Sequence, residues 1–135
     1  MSNLISGSCL CGEVTFSLTN DFSRFYLCHC TQCQKMTGSA HVAHLFTAPD
    51  NLSWTSGETS LKRFEHPSRS FTKVFCTECG SGLPFVNKSG KALIVPAGSL
   101  NAEPNIQPSH NIFWHERASW YDKGITAKHC AGFPE

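Results

Sequence analysis

Apolar and polar positions alternate along this chain in short bursts, and turn residues punctuate the bursts. Glu13-Val14-Thr15-Phe16-Ser17-Leu18 runs polar, apolar, polar, apolar. A period of two places one set of side chains on one face, so this segment predicts a half-buried strand. Phe25-Tyr26-Leu27 is aromatic and apolar and leads straight into cysteines. Further strands are expected over His41–Phe46, Ser60–Phe64, Phe71–Phe75, Leu83–Val86, Ala92–Val95 and Asn111–Trp114. Between them stand Thr19-Asn20-Asp21, Pro49-Asp50-Asn51, Ser56-Gly57, His66-Pro67-Ser68 and Asn87-Lys88-Ser89-Gly90, whose residue types favour turns. Strands spaced about 10 residues apart predict a mainly β domain of antiparallel sheets.

One short helix interrupts this pattern. Thr31-Gln32-Cys33-Gln34 fits a capping box with Thr31 as N-cap, and Gly38 supplies a stop. Cys33 then falls in the first turn, where free backbone N–H groups and the helix dipole favour a thiolate.

A chain of 135 residues is the size of one domain, taken here as residues 1–135. Its 11 Lys and Arg against 10 Asp and Glu leave a formal charge of +1, which excludes a polycationic nucleic-acid arm and an acidic tail. Hydrophobic content of 40% with 16% charged residues excludes disorder, and no apolar run is long enough to span a bilayer. Eight cysteines change the picture. The opening Met1-Ser2-Asn3-Leu4-Ile5-Ser6-Gly7 has neither a basic nor an apolar region of a secretory signal, so a cytoplasmic, reducing setting is expected. There, thiols serve as metal ligands or reactive groups more often than as disulfides.

Seven of the cysteines form three clusters. Cys76-Thr77-Glu78-Cys79-Gly80 is a metal knuckle, since two intervening residues let both sulfurs face one ion and the glycine lets the chain turn around it. Cys9-Leu10-Cys11-Gly12 is its partner half. Together Cys9, Cys11, Cys76 and Cys79 predict a structural zinc whose coordination shell is full. Cys28, Cys30 and Cys33 have no second pair to complete them, and three ligands with an open fourth position is the arrangement of a catalytic zinc. Such a zinc can accept a soft external thiolate. His29 lies between two ligands and, in an extended Cys-x-Cys, should point away from the ion. Cys130 reads as a tail residue. His41 and His44 cannot share a strand face, and His41 follows the helix closely enough to line its pocket. The proton acceptor stays open between His29, His41 and a metal-held hydroxide.

The same residues admit two other functional classes: a non-catalytic zinc-stabilised binding module, and a redox sensor built on the middle trio. The near-neutral charge and scattered basic residues speak against nucleic acid as a partner.

With these motifs in view, the chain resembles the glutathione-dependent formaldehyde-activating enzyme (Gfa), or centromere protein V, family over about residues 7–122. The resemblance is carried by Gly7-Ser8-Cys9-Leu10-Cys11-Gly12-Glu13-Val14, by Cys28-His29-Cys30-Thr31-Gln32-Cys33-Gln34-Lys35 with Thr37-Gly38-Ser39, and by Phe75-Cys76-Thr77-Glu78-Cys79-Gly80. Ala97-Gly98-Ser99-Leu100, Pro108-Ser109-His110-Asn111-Ile112-Phe113 and Trp120 continue it, and Asn101-Ala102-Glu103-Pro104 departs from it. It implies an Mss4-like (β-tent) fold with two zinc ions per chain, the structural one on Cys9, Cys11, Cys76 and Cys79 and the catalytic one on Cys28, Cys30 and Cys33. It also implies a carbon–sulfur lyase similar to S-(hydroxymethyl)glutathione synthase, with glutathione and formaldehyde as small-molecule partners.

Overall fold

In the computed structural model, which describes residues 3–134, strands dominate and the described residues hold two short α-helices. The strands are β1 (Leu4–Ser8), β2 (Thr15–Thr19), β3 (Arg24–Cys28), β4 (Val42–Thr47), β5 (Ser53–Ser56) and β6 (Leu61–Glu65), followed by β7 (Thr72–Cys76), β8 (Gly82–Leu83), β9 (Phe85–Val86), β10 (Leu93–Pro96) and β11 (His110–Ile112). Helix α1 covers Thr31–Thr37 and α2 covers Tyr121–Thr126. They form three sheets, ordered β1-β2-β5, β11-β3-β4-β10-β9 and β6-β7-β8. The protein is mainly β, and every pairing is antiparallel except that of β11 with β3.

The alternation of apolar residues dictates which faces are buried. Val14, Phe16 and Leu18 are sequestered while Thr15 and Ser17 between them are only half-buried. Strand β7 buries Thr72, Val74 and Cys76 in the same rhythm. Strand β10 instead buries Leu93, Ile94 and Val95 in a row, because it lies between β4 and β9 inside the five-stranded sheet. With Phe16, Leu45 and Leu83, the residues Leu93 and Val95 make the main core, and Cys9 and Cys76 belong to it.

Gly7 lets β1 approach this core. A Cβ at that position would lie 2.2 Å from Phe16 Cζ and 2.6 Å from the Ser99 carbonyl oxygen, far inside van der Waals contact. The bridge from Gly7 to Leu100 depends on that absence.

Three expectations change. The Leu83–Val86 strand divides at Pro84, which has no N–H for a ladder. The segment expected over Asn111–Trp114 shortens to β11, and Trp114 begins a 3₁₀ turn, Trp114–Glu116. Thr31 is the first helical residue, not the cap: Cys30 is the N-cap, its Sγ accepting from the Cys33 N–H at 3.4 Å. Gly38, at φ 64°, ends the helix in the left-handed conformation.

Candidate metal centres

Both cysteine groups assemble at the ends of strands. The turn after β1 carries Cys9 and Cys11, Cys76 ends β7, and the turn from β7 to β8 carries Cys79. The Leu10 N–H donates to Ser81 Oγ at 3.0 Å, tying one turn to the other. All four sulfurs lie within 4.8 Å of one another. Cys9 and Cys11 are 3.6 Å apart and Cys11 and Cys76 3.9 Å, close to the roughly 3.8 Å edge of a tetrahedron with 2.3 Å metal–sulfur arms. Backbone N–H groups of Val14 and Glu78 point at the Cys9 and Cys76 sulfurs, at 3.2 and 3.3 Å. The Ser81 hydroxyl, 3.2 Å from Cys79 Sγ, holds that thiol down at about 5.

The second group is local. Cys28 ends β3, Cys30 caps α1 and Cys33 stands in its first turn; all three are buried, with their sulfurs within 4.8 Å of one another. Among the described residues no fourth His, Cys, Asp or Glu joins them. Hydrogen bonding from the Cys33 thiol, against the effect of burial, brings Cys28 down to about 6. Cys33, sharing its proton with Cys28 and buried, is pushed far up. Three sulfurs at this spacing can all lose their protons only with a cation between them, and a soft, sulfur-only donor set suits zinc. Both groups therefore fit a metal ion chemically.

Residues remote in sequence frame this second group. Glu116 Oε1 accepts from the Thr31 N–H at 3.0 Å and from its hydroxyl at 3.3 Å. The Gln34 amide donates to the carbonyls of His29 and Glu116, at 2.8 and 3.0 Å. Gln34 thus braces the loop but does not close a capping box. His29 is fully buried and lies outside the sulfur group. Its Nε2 is 2.9 Å from Asn111 Oδ1, and its ring meets His41, Trp114 and Tyr121 edge-on at 4.9, 5.0 and 4.7 Å.

Two clefts meet here. One of about 470 Å³ is walled by Cys28, Cys30 and Cys33, with Arg69, Lys88 and Phe113 around its mouth. The other, about 680 Å³, runs from Cys33 and Lys73 toward Cys9 and Ser81. They share Cys33, His44, Phe71, Thr72 and Phe85. His44 thus lines both clefts, while neither His29 nor His41 lines either. Burial, and secondarily the Lys73 charge, lower His44 to about 4, so its imidazole is neutral at pH 7. Cys130 is exposed and belongs to neither sulfur group.

Sequence reasoning found the seven sulfurs and singled out Gln34, Asn111, His44 and Lys73 in motifs or as candidate residues, but did not place them around the sulfurs; Glu116 carries no local signal.

Residues 4–116 match the family described as glutathione-dependent formaldehyde-activating enzyme. A crystal structure of a Rhodobacter sphaeroides protein, a structural-genomics target, superposes with a TM-score of 0.62 at 19% identity, covering 79% of this chain and 100% of that one. That likeness is one of fold. No curated protein sequence matches the chain. Among the described residues, no helix is long and apolar enough to cross a membrane.

Proposed function

The chain belongs to the glutathione-dependent formaldehyde-activating enzyme family, and from that premise we propose that it is a zinc-dependent carbon–sulfur lyase acting on a small thiol adduct. Residues 1–135 act as one unit in this reading. Cys9, Cys11, Cys76 and Cys79 hold a structural zinc, and Cys28, Cys30 and Cys33 hold a catalytic one. A zinc ion on three sulfurs supplies a soft Lewis acid with room for one further sulfur, which keeps an incoming thiol deprotonated near neutral pH.

The remaining work falls to the chain itself. In the forward direction the substrate sulfur bonds to the carbonyl carbon of formaldehyde, the carbonyl π pair moves to oxygen, and the thiol proton ends on that oxygen. The reverse breaks the same carbon–sulfur bond. The cleft walled by Cys28, Cys30 and Cys33 admits the thiol beside Phe113, Arg69 and Lys88. Neutral His44 on its wall offers an imidazole able to exchange a hydrogen bond with the developing hydroxyl. Cys30, as N-cap, and the Glu116–Thr31 contacts keep the sulfur-bearing loop in one geometry.

The observation that carries this reading is the unequal division of sulfurs, four in one group and three in the other beside an open cleft. The test is to replace the metal with cobalt and titrate with glutathione. The expected result is a changed absorption spectrum from one of two cobalt ions per chain. An unchanged spectrum at millimolar glutathione would eliminate the thiol-substrate reading.

A further inference from the structure

We propose that Lys73 makes the larger cleft an anion subsite, which selects thiols that carry a carboxylate. This subsite presupposes the thiol chemistry proposed above and adds a residue that discriminates among thiols.

Lys73 projects from β7 and is half-buried. Its ammonium has three N–H donors and gives one to the Met36 carbonyl at 3.1 Å. Among the described residues no carboxylate oxygen lies within 4 Å of it, whereas Arg63 pairs with Glu65 and Arg117 with Asp122. A cation partly withdrawn from water without a carboxylate partner is held less favourably than one that is paired. Burial weakens the hold of Lys73 on its proton, and the nearby sulfur of Cys33 opposes that effect. Lys73 and Cys33 line the same cleft.

The end of the Lys73 side chain lies beside Gly82, where a Cβ would stand in ordinary contact at 3.6 Å from Cε and 3.7 Å from Nζ. Thr37 and Asn101 add polar groups to the same cleft. Because the two clefts join at Cys33, a flexible molecule with its thiol at the three sulfurs can extend a carboxylate to Lys73. A lysine meets such a group as a mobile point charge, with no need for planar registration.

The experiment titrates cobalt-substituted protein with glutathione and with glutathione diethyl ester, whose carboxylates are masked. The parent should bind the acid about 10-fold more tightly than the ester, the size expected of one charge-assisted contact. Lys73→Met should bring the two within about 2-fold by weakening the acid alone, and Lys73→Arg should restore part of the preference. If Lys73→Met weakens both thiols alike, or lowers cobalt content, the lysine merely balances the sulfurs and the subsite is overturned. If both thiols bind but the preference survives Lys73→Met, the subsite falls and the thiol chemistry stands. If neither thiol alters the spectrum, both fall together.

Discussion

The four-sulfur group joins turns that are far apart in the chain, with 65 positions between Cys11 and Cys76, whereas Cys28, Cys30 and Cys33 come from one short stretch. The first clamps the β1-β2-β5 sheet to the β6-β7-β8 sheet; the second ties the end of a strand to the helix that follows it. An ion that closes a long loop removes much more freedom from the unfolded chain than one bridging near neighbours. A group that contributes little to stability is free to keep a vacancy. All three sulfurs of the local group wall one cleft, whereas the four-sulfur group lends only Cys9 to the other.

The largest test of this contrast is Cys79→Ser. Losing one sulfur of the clamp should cost at least about 5 kcal/mol, comparable with the whole stability of a small domain. Thermal unfolding followed by circular dichroism, with metal counted per chain, should show loss of the cooperative transition. A variant that melts like the parent would abolish the distinction between the groups.

Cys30→Ser should do the reverse. Serine is a favoured N-cap, so its hydroxyl can accept from the Cys33 N–H while the soft donor is gone. The melting temperature should move by only a few degrees, on the order of a 1 kcal/mol change. Formaldehyde-dependent consumption of glutathione should fall at least about 100-fold. A collapse of the fold would mean that the local group, too, is structural.

The smallest effect separates two readings of one helix. An N-cap threonine replaced by alanine costs about 1 kcal/mol, whereas outside the cap the better helix propensity of alanine offsets most of the loss of the Thr31 hydroxyl contact with Glu116. Because Cys30 holds the cap, Thr31→Ala should lose only about 0.3 kcal/mol by urea unfolding. A loss near the larger figure would return the cap to Thr31.

That helix shows where sequence patterns suffice and where they stop. Period-two alternation over Glu13–Leu18 located β2, whose buried face is written in Phe16 and Leu18 with Val14 just before it, and β4 and β7 lie within one residue of the strands expected over His41–Phe46 and Phe71–Phe75. Strands β1 and β5, rich in serine and in β1 interrupted by Gly7, carry no such rhythm; their conformation comes from pairing on either side of β2. The parallel course of β11 is likewise set by a distant partner, β3. At the site, cysteine spacing marks the sulfur groups, since a short spacing constrains sulfur positions directly. Glu116 reaches Thr31 across 85 positions and Asn111 reaches His29 across 82, distances over which no local pattern holds. Strand parity separates His41 from His44 but does not say which faces the cleft; packing of His41 against Tyr121 decides it.

Gly7 carries no sulfur and touches no cleft, yet it governs the clamp from two residues upstream of Cys9. A single methyl group there would press on the Phe16 ring and the Ser99 carbonyl and lever β1 away from its neighbours. The cysteines at the end of that strand would swing with it, out of line with the opposite turn. Substitution of this residue would then surface in an assay as metal leakage, and a search for its cause among the ligands would find every one of them intact.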